Sequence, residues 1–408
     1  MTHESNNSGP ESCQVGKVGA QRFAGRALIL AIILLAVPMV GAQTATAQTE
    51  RVIYSFGSYP DGEAPLAGLA QDAKGSFYGT TGYGGANGDG TVFKVTPGGK
   101  EKVLFSFTRV PDGATPLAGL TIDANGNFYG TTSLGGENNG CGTVFKITPG
   151  GKHKVLYTFA CGTDGISPVA GVTLDAQGNL DGTTQQGGAN GDGTVFKLTA
   201  GGKEKWLYSF TGGMDGRMPM SGLIQDAKGN LYGTTEQGGA GLWGTVFKVT
   251  PGGKLTALYS FTNNADGGEP TAGLVRDAKG NLYGTTSTGG NGNCAFGCGT
   301  VFEVTPAGAE SVIYSFTGGA DGALPTHGLV RDANGNLYGT TYGGGASGWG
   351  TVFKVTPQGA HKVLYSFPGG ADGGDPTCDL IEDTKGNFYG TAQSGGDSTS
   401  GVVFKLTR

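Results

Sequence analysis

Charge is thin in this sequence: 27 Lys and Arg stand against 32 Asp and Glu in 408 residues, with only four histidines. The formal charge of -5 offers no basic stripe to neutralise phosphates, so nucleic acid is not an expected partner. Long apolar runs are also missing. The run "ALILAIILLAVPMV" at 27–40 has 14 residues, short of the roughly 20 that a membrane-spanning helix needs. Catalytic signatures are absent as well: there is no nucleophile elbow, no HExxH helix and no phosphate loop. The "DANGN" turns echo a calcium loop, but the glycine and closing glutamate fall at the wrong positions, so no metal and no cofactor is expected.

What abounds is glycine, 82 residues. No three-residue period accompanies it and apolar residues alternate in short runs, which describes a glycine-rich folded protein rather than a collagen or a disordered polymer. Arg22 and Arg26 precede the 14-residue run, and small-residue sites end at Ala42 and Ala47. Residues 1–47 thus read as a signal peptide with a long n-region, cleaved after Ala42 or Ala47. That predicts Sec-type export to a secreted or periplasmic location, with no membrane span after cleavage. In such a compartment the five remaining cysteines read as disulfides rather than metal ligands.

One unit recurs. Aligned on the last aromatic of "YSF", it falls at Phe56, Phe107, Phe159, Phe210, Phe261, Phe316 and Phe367, and "GTVF" or "GVVF" recurs at the same period. Each unit holds four strand-like runs, such as "SGLIQD", "NLYGTT", "GTVFKVT" and "KWLYSF". "DAKGN" and "TPGGK" supply tight hairpins, and two longer loops complete the unit. Seven four-stranded antiparallel units predict an all-β, seven-bladed propeller over residues 51–408. The chain offers a lone "RVIYSF" strand first and three strands last, so the first strand is expected to pair into the last blade and close the ring.

The combined unit "GTVFKVTPGGK...VLYSF...DG..P..GL..DA.GN.YGTT..GG" is similar to the GloVer tandem repeat of the choice-of-anchor family of exported bacterial proteins. The resemblance implies an extracytoplasmic repeat protein, commonly joined to a surface-sorting tail, and no defined biochemical activity. This chain ends at Arg408 without such a tail, so surface attachment is not expected. The Gly-Gly doublet and the period also resemble kelch propellers, without the kelch aromatic pattern.

Alternating strand direction places both hairpins on one face of the ring and both long loops on the other, where recognition is expected. That face receives Asp61, Asp112, Asp164, Asp215, Asp266, Asp321 and Asp372 from seven "DG" loops. They read as caps of their own turns, with a calcium or sugar-binding ring as the alternative. Positions that break the repeat are the better candidates for a single ligand site: Tyr83, Trp243, Phe296, Tyr342 and Trp349, either stacking on sugar rings or plugging gaps between blades. His327 replaces an alanine near an inner strand and joins them, whereas His153 and His361 read as solvated. Asp181 replaces the tyrosine of "YGTT" and Asp379 the glycine of "AGL", either lining a water-filled channel or serving acid–base chemistry. Spacing pairs Cys141 with Cys161 and Cys294 with Cys298, leaving Cys378 single.

The expected function is an exported scaffold, most simply a monomer, binding an extracellular glycan or protein through the long-loop face. A carbohydrate-active hydrolase or lyase with axial carboxylates and a structural surface or adhesion component are the alternatives. Near-identity of the blades favours recognition or structure over catalysis.

Overall fold

The computed structural model describes residues 48–57, 59–137 and 140–407; the expected signal peptide, residues 1–47, lies outside them. Seven four-stranded antiparallel sheets form the blades of a propeller. In blade 4 the strands run Ile224–Gln225, Leu231–Thr235, Thr245–Val249 and Leu255–Ser260 from the axis outward. Blade 7 takes Ile381–Glu382, Phe388–Ala392 and Val402–Leu406 from the end of the chain and its outer strand, Glu50–Ser55, from the beginning. Glu50 pairs with Leu406 and Ser55 with Val402, so the ring closes as the phase of the repeats requires.

The hairpins fold for local reasons. In "DAKGS" the Asp72 carboxylate accepts the N–H groups of Lys74 and Ser76 at 2.9 Å, and Gly75 takes φ of 80°. In "TPGGK" only the second glycine needs positive φ, 82° at Gly99; blades 5 and 6 accordingly carry Ala307 and Gln358 at the first position. The innermost strands are shorter than the "SGLIQD" run suggests, two residues in each blade. The preceding "AGL" segments leave the ladder because their carbonyls bond the neighbouring blade instead.

That bond recurs at every interface. The first threonine of "YGTT" donates to the carbonyl of the residue before the "AGL" glycine in the next blade: Thr80 to Ala118, Thr131 to Ala170, Thr183 to Ser221, Thr234 to Ala272, Thr285 to His327 and Thr340 to Cys378. Thr391 to Ala67, 2.9 Å, joins blade 7 to blade 1. Farther out, the "YSF" phenylalanine of each blade meets the "GTVF" phenylalanine of the next edge-on, as in Phe56 with Phe93 at 4.9 Å and Phe367 with Phe404 at 5.2 Å. Buried apolar clusters straddle these seams. The "YGTT" glycine makes room for the ring: a Cβ on Gly79 would lie 2.6 Å from Phe93.

Replacing Thr391 by valine removes one buried donor and orphans the Ala67 carbonyl, which should lower the unfolding free energy by about 1–3 kcal/mol. Thr234→Val, at an internal seam, should cost the same in urea titration. A full loss at Thr234 with none at Thr391 would show that the closing seam is open in solution.

Candidate functional site

Chain direction puts the two hairpins of each blade at one end of the ring and the long loops at the other. The exposed large hydrophobic side chains follow this division: of twelve among the described residues, nine lie in the long loops and none in the hairpins. Tyr83 is half exposed in a two-residue strand, Tyr83–Gly84, that pairs with Gly62–Glu63 of the adjoining long loop. Phe296 is 70 % exposed at the tip of the loop held by the Cys294–Cys298 disulfide. Tyr342 and Trp349 stand in one loop of blade 6, both exposed. Trp349 lies against Gly369 and Gly374 of the next loop, where a Cβ would come within 3 Å of the indole. It therefore covers a seam with one part of the ring and offers the rest to solvent. Trp243 is half-buried and packs on the cluster between blades 4 and 5.

Six of the seven loop aspartates accept hydrogen bonds within their own loop. Asp61, Asp164, Asp215, Asp266 and Asp321 each accept the hydroxyl of a tyrosine seven residues back, and each also accepts the backbone N–H four residues back. Phe105 occupies the tyrosine position in blade 1, and there Asp112 accepts from Thr108 instead. Asp372 lies in a short 3-10 turn, Gly370–Asp372. Among the described residues no group of three His, Cys, Asp or Glu gathers as a metal site.

His153 and His361 are not solvated. Each begins an outer strand and stacks on an aromatic of the preceding blade, His153 on Phe105 at 4.0 Å and His361 on Tyr314 at 4.3 Å. Glu50, Glu101, Glu204 and Glu310 occupy the equivalent position in other blades. In each of these glutamates one carboxyl oxygen is shut off from solvent without a partner, as is Nε2 of both histidines. Burial, helped by the neighbouring Asp372, Asp61, Asp164 and Asp266 respectively, pushes the four glutamates up to about 7. Burial holds His153 down at about 4 and lowers His361, in each case against the pull of the nearby loop aspartate.

The remaining repeat breaks separate. Asp181, fully buried, bonds Lys197 at 3.0 Å, and Lys197 also bonds Asp175 at 2.8 Å. Burial raises the Asp181 carboxyl while Lys197 opposes the rise. His327 and Asp379 instead face an axial cavity of about 710 Å³. Asp379 Oδ1 accepts the Gly328 N–H at 2.6 Å, and His327 Nδ1 lies 2.9 Å from Thr326 Oγ1. Burial lowers the His327 imidazole, and Asp379 opposes that shift. Asp379 is the only carboxylate among the cavity-lining residues. The threonines that line the same sector, Thr271, Thr326 and Thr377, escaped the sequence reading; their signal is the residue after each "P" of the "DG..P" loops, apolar in blades 1 to 4.

Cys141 and Cys161 are disulfide-bonded with Cα atoms 5.0 Å apart, and Cys294 is bonded to Cys298. Cys378 is a buried thiol whose pKa burial pushes up to about 12.

These features define a closed seven-bladed propeller of four-stranded blades with one aromatic-rich face and one polar break on its axis. The chain belongs to the Gloeobacter/Verrucomicrobia repeat family, whose profile matches residues 40–188, 139–331 and 292–408. No curated protein matches it. Among solved structures it is similar to the extracellular domain named for a hybrid two-component system of B. thetaiotaomicron, with 12% identity and a TM-score of 0.57 over 87% of this chain. The chain spans 39% of that protein's length. It is also similar to a protein from Bacteroides uniformis named as a 6-phosphogluconolactonase, with 19% identity and a TM-score of 0.51 over 81% of this chain and 90% of that one. At such identities the likeness is one of fold.

The glutamates Glu50, Glu101, Glu204 and Glu310 and the histidines His153 and His361, wedge residues that begin the outer strands, set a pH dependence. A carboxyl raised from 4.5 to about 7 stabilises the fold fully below pH 4.5 and loses that contribution as pH rises to about 7. The two histidines act oppositely, contributing above 6.5 and losing their contribution as pH falls, for His153 through about 4. Four glutamates against two histidines should make the melting temperature fall between about pH 5 and pH 7.5. The triple variant Glu101→Gln, Glu204→Gln and Glu310→Gln should flatten most of that fall. A wild-type melting temperature constant over the range would mean that the wedge carboxyls are ionised.

Proposed function

We propose that the protein is an exported recognition scaffold that binds an extracellular glycan through its long-loop face. The observation that carries this reading is the one-sided distribution of exposed aromatic and aliphatic side chains on a rigid, closed ring. Flat aromatic rings held at fixed positions cover the apolar faces of sugars at little entropic cost, and Tyr83, Phe296, Tyr342 and Trp349 supply them. Export is supported by the signal-like pattern of residues 1–47 and by the two disulfides, which persist in oxidising compartments. A hydrolase or lyase with paired axial carboxylates is less well supported, because Asp379 stands alone on the cavity wall and Asp181 is tied to Lys197.

The test is a glycan array probed with the chain from Gln48 onward, with and without calcium. Binding to a defined glycan class is expected. Trp349→Ala should weaken it by roughly tenfold or more, as truncation of a central aromatic anchor does, and Tyr83→Ala or Phe296→Ala should weaken it less. Retention of full affinity in all of Tyr83→Ala, Phe296→Ala, Tyr342→Ala and Trp349→Ala would remove the long-loop face from consideration.

A further inference from the structure

Each blade enters its inner strand through the same five-residue pattern, "P-x-A-G-L", and the axial cavity is walled by these segments. Three of its positions break symmetry, and every break but one falls on the same side. At the second position Leu66, Leu117, Val169 and Met220 of blades 1 to 4 give way to Thr271, Thr326 and Thr377 of blades 5 to 7. At the third, His327 replaces the small residue in blade 6; Ser221 and Cys378 are the milder changes. At the fourth, Asp379 replaces glycine in blade 7 alone. The second position therefore divides the wall into an apolar arc and a polar arc, with the carboxylate in the polar one, while Thr121, Thr173 and Ser221 also line the cavity beside the apolar arc.

The wall itself leaves that carboxylate uncompensated. The Gly328 N–H holds Oδ1 at 2.6 Å, and the Asp379 side chain is exposed where it lines the cavity. No lysine or arginine is among the cavity-lining residues. Burial disfavours the protonated form of His327, against the pull of Asp379. The Thr377 hydroxyl is shut off from solvent and does not reach the carboxylate's open side. In a ring of seven the blades opposite blade 7 are 3 and 4, whose second pattern positions are Val169 and Met220.

We propose that the axial cavity binds a small organic cation, a primary ammonium carried on an apolar body. The ammonium donates to the open oxygen of Asp379, and the body extends across the axis onto Val169 and Met220. A cavity of about 710 Å³ is in the range that encloses a small-molecule ligand. This site is separate from the aromatic loops and takes a different chemistry.

Calorimetric titration of the full described chain with phenethylammonium chloride tests it, with 2-phenylethanol and 3-phenylpropionate as neutral and anionic shape controls. Saturable binding of the ammonium is expected, roughly tenfold or more tighter than the alcohol, with the carboxylate weakest. Asp379→Gly restores the residue that the six other blades carry and so preserves the fold; it should lose roughly tenfold or more of the ammonium affinity, as should Asp379→Asn. Trp349→Ala should leave that affinity unchanged, which separates this site from the rim. Absence of saturable ammonium binding, equal binding of the alcohol, or an Asp379→Gly variant that binds as the wild type does would each overturn the proposal.

Discussion

The structure depends on one hydrogen bond made seven times, from a "YGTT" threonine to the inner carbonyl of the next blade. A two-residue inner strand cannot satisfy the backbone that crowds the axis, and a carbonyl left unpaired there would cost about as much as a lost hydrogen bond. The threonine supplies the missing donor from outside the blade, so no blade can complete its own inner edge. Other features follow from it: the glycine beside the threonine admits the phenylalanine ring, and that ring buries the "YSF" phenylalanine of the preceding blade. Closure is then the same bond once more, between residues 324 positions apart.

Much of this architecture was legible in the sequence because period reports topology directly. Seven copies with a displaced first strand leave few alternatives to a ring whose last blade is completed from the chain's beginning, and loop length alone sorted the two faces. The seam chemistry was less legible. A threonine in a strand reads as a β-former, and nothing in "YGTT" distinguishes a hydroxyl aimed at solvent from one aimed at the next blade. His153 was misread for a related reason: adjacent to a hairpin it looks exposed, yet the stacking partner Phe105 comes from another blade, nearly one repeat earlier.

Exact repetition and function occupy different positions in this chain. Where all seven blades agree, the residue is committed to a seam or a turn, as with the threonine, or nearly so with the loop aspartate. Some changes are compensated pairwise: blades 1 to 6 bond the second "YGTT" threonine to the "GTVF" threonine, as Thr341 with Thr351, whereas blade 7 carries Ala392 and Val402 together. Replacing both partners by apolar groups leaves no orphan, so that break carries no information about a ligand.

The two aspartates that break the repeat, Asp181 and Asp379, show how compensated and uncompensated breaks differ. In most blades the lysine of "VFKV" lies over the "YGTT" tyrosine ring, as Lys94 does over Tyr78 at 4.9 Å. In blade 3 the tyrosine is gone, and Lys197 instead bridges Asp181 and the turn aspartate Asp175. The charge introduced by Asp181 is thereby met within its own blade by a residue the repeat already supplied, and the result is a structural ion pair. Asp379 has no such resident partner, because the repeat places no cation at the axis. Its position next to Gly68 and Gly328, neither of which could carry a Cβ without crowding it, gives the carboxylate a fixed place but no counter-charge. The two breaks thus differ in one respect: the repeat already holds a lysine within reach of Asp181 and none at the axis beside Asp379.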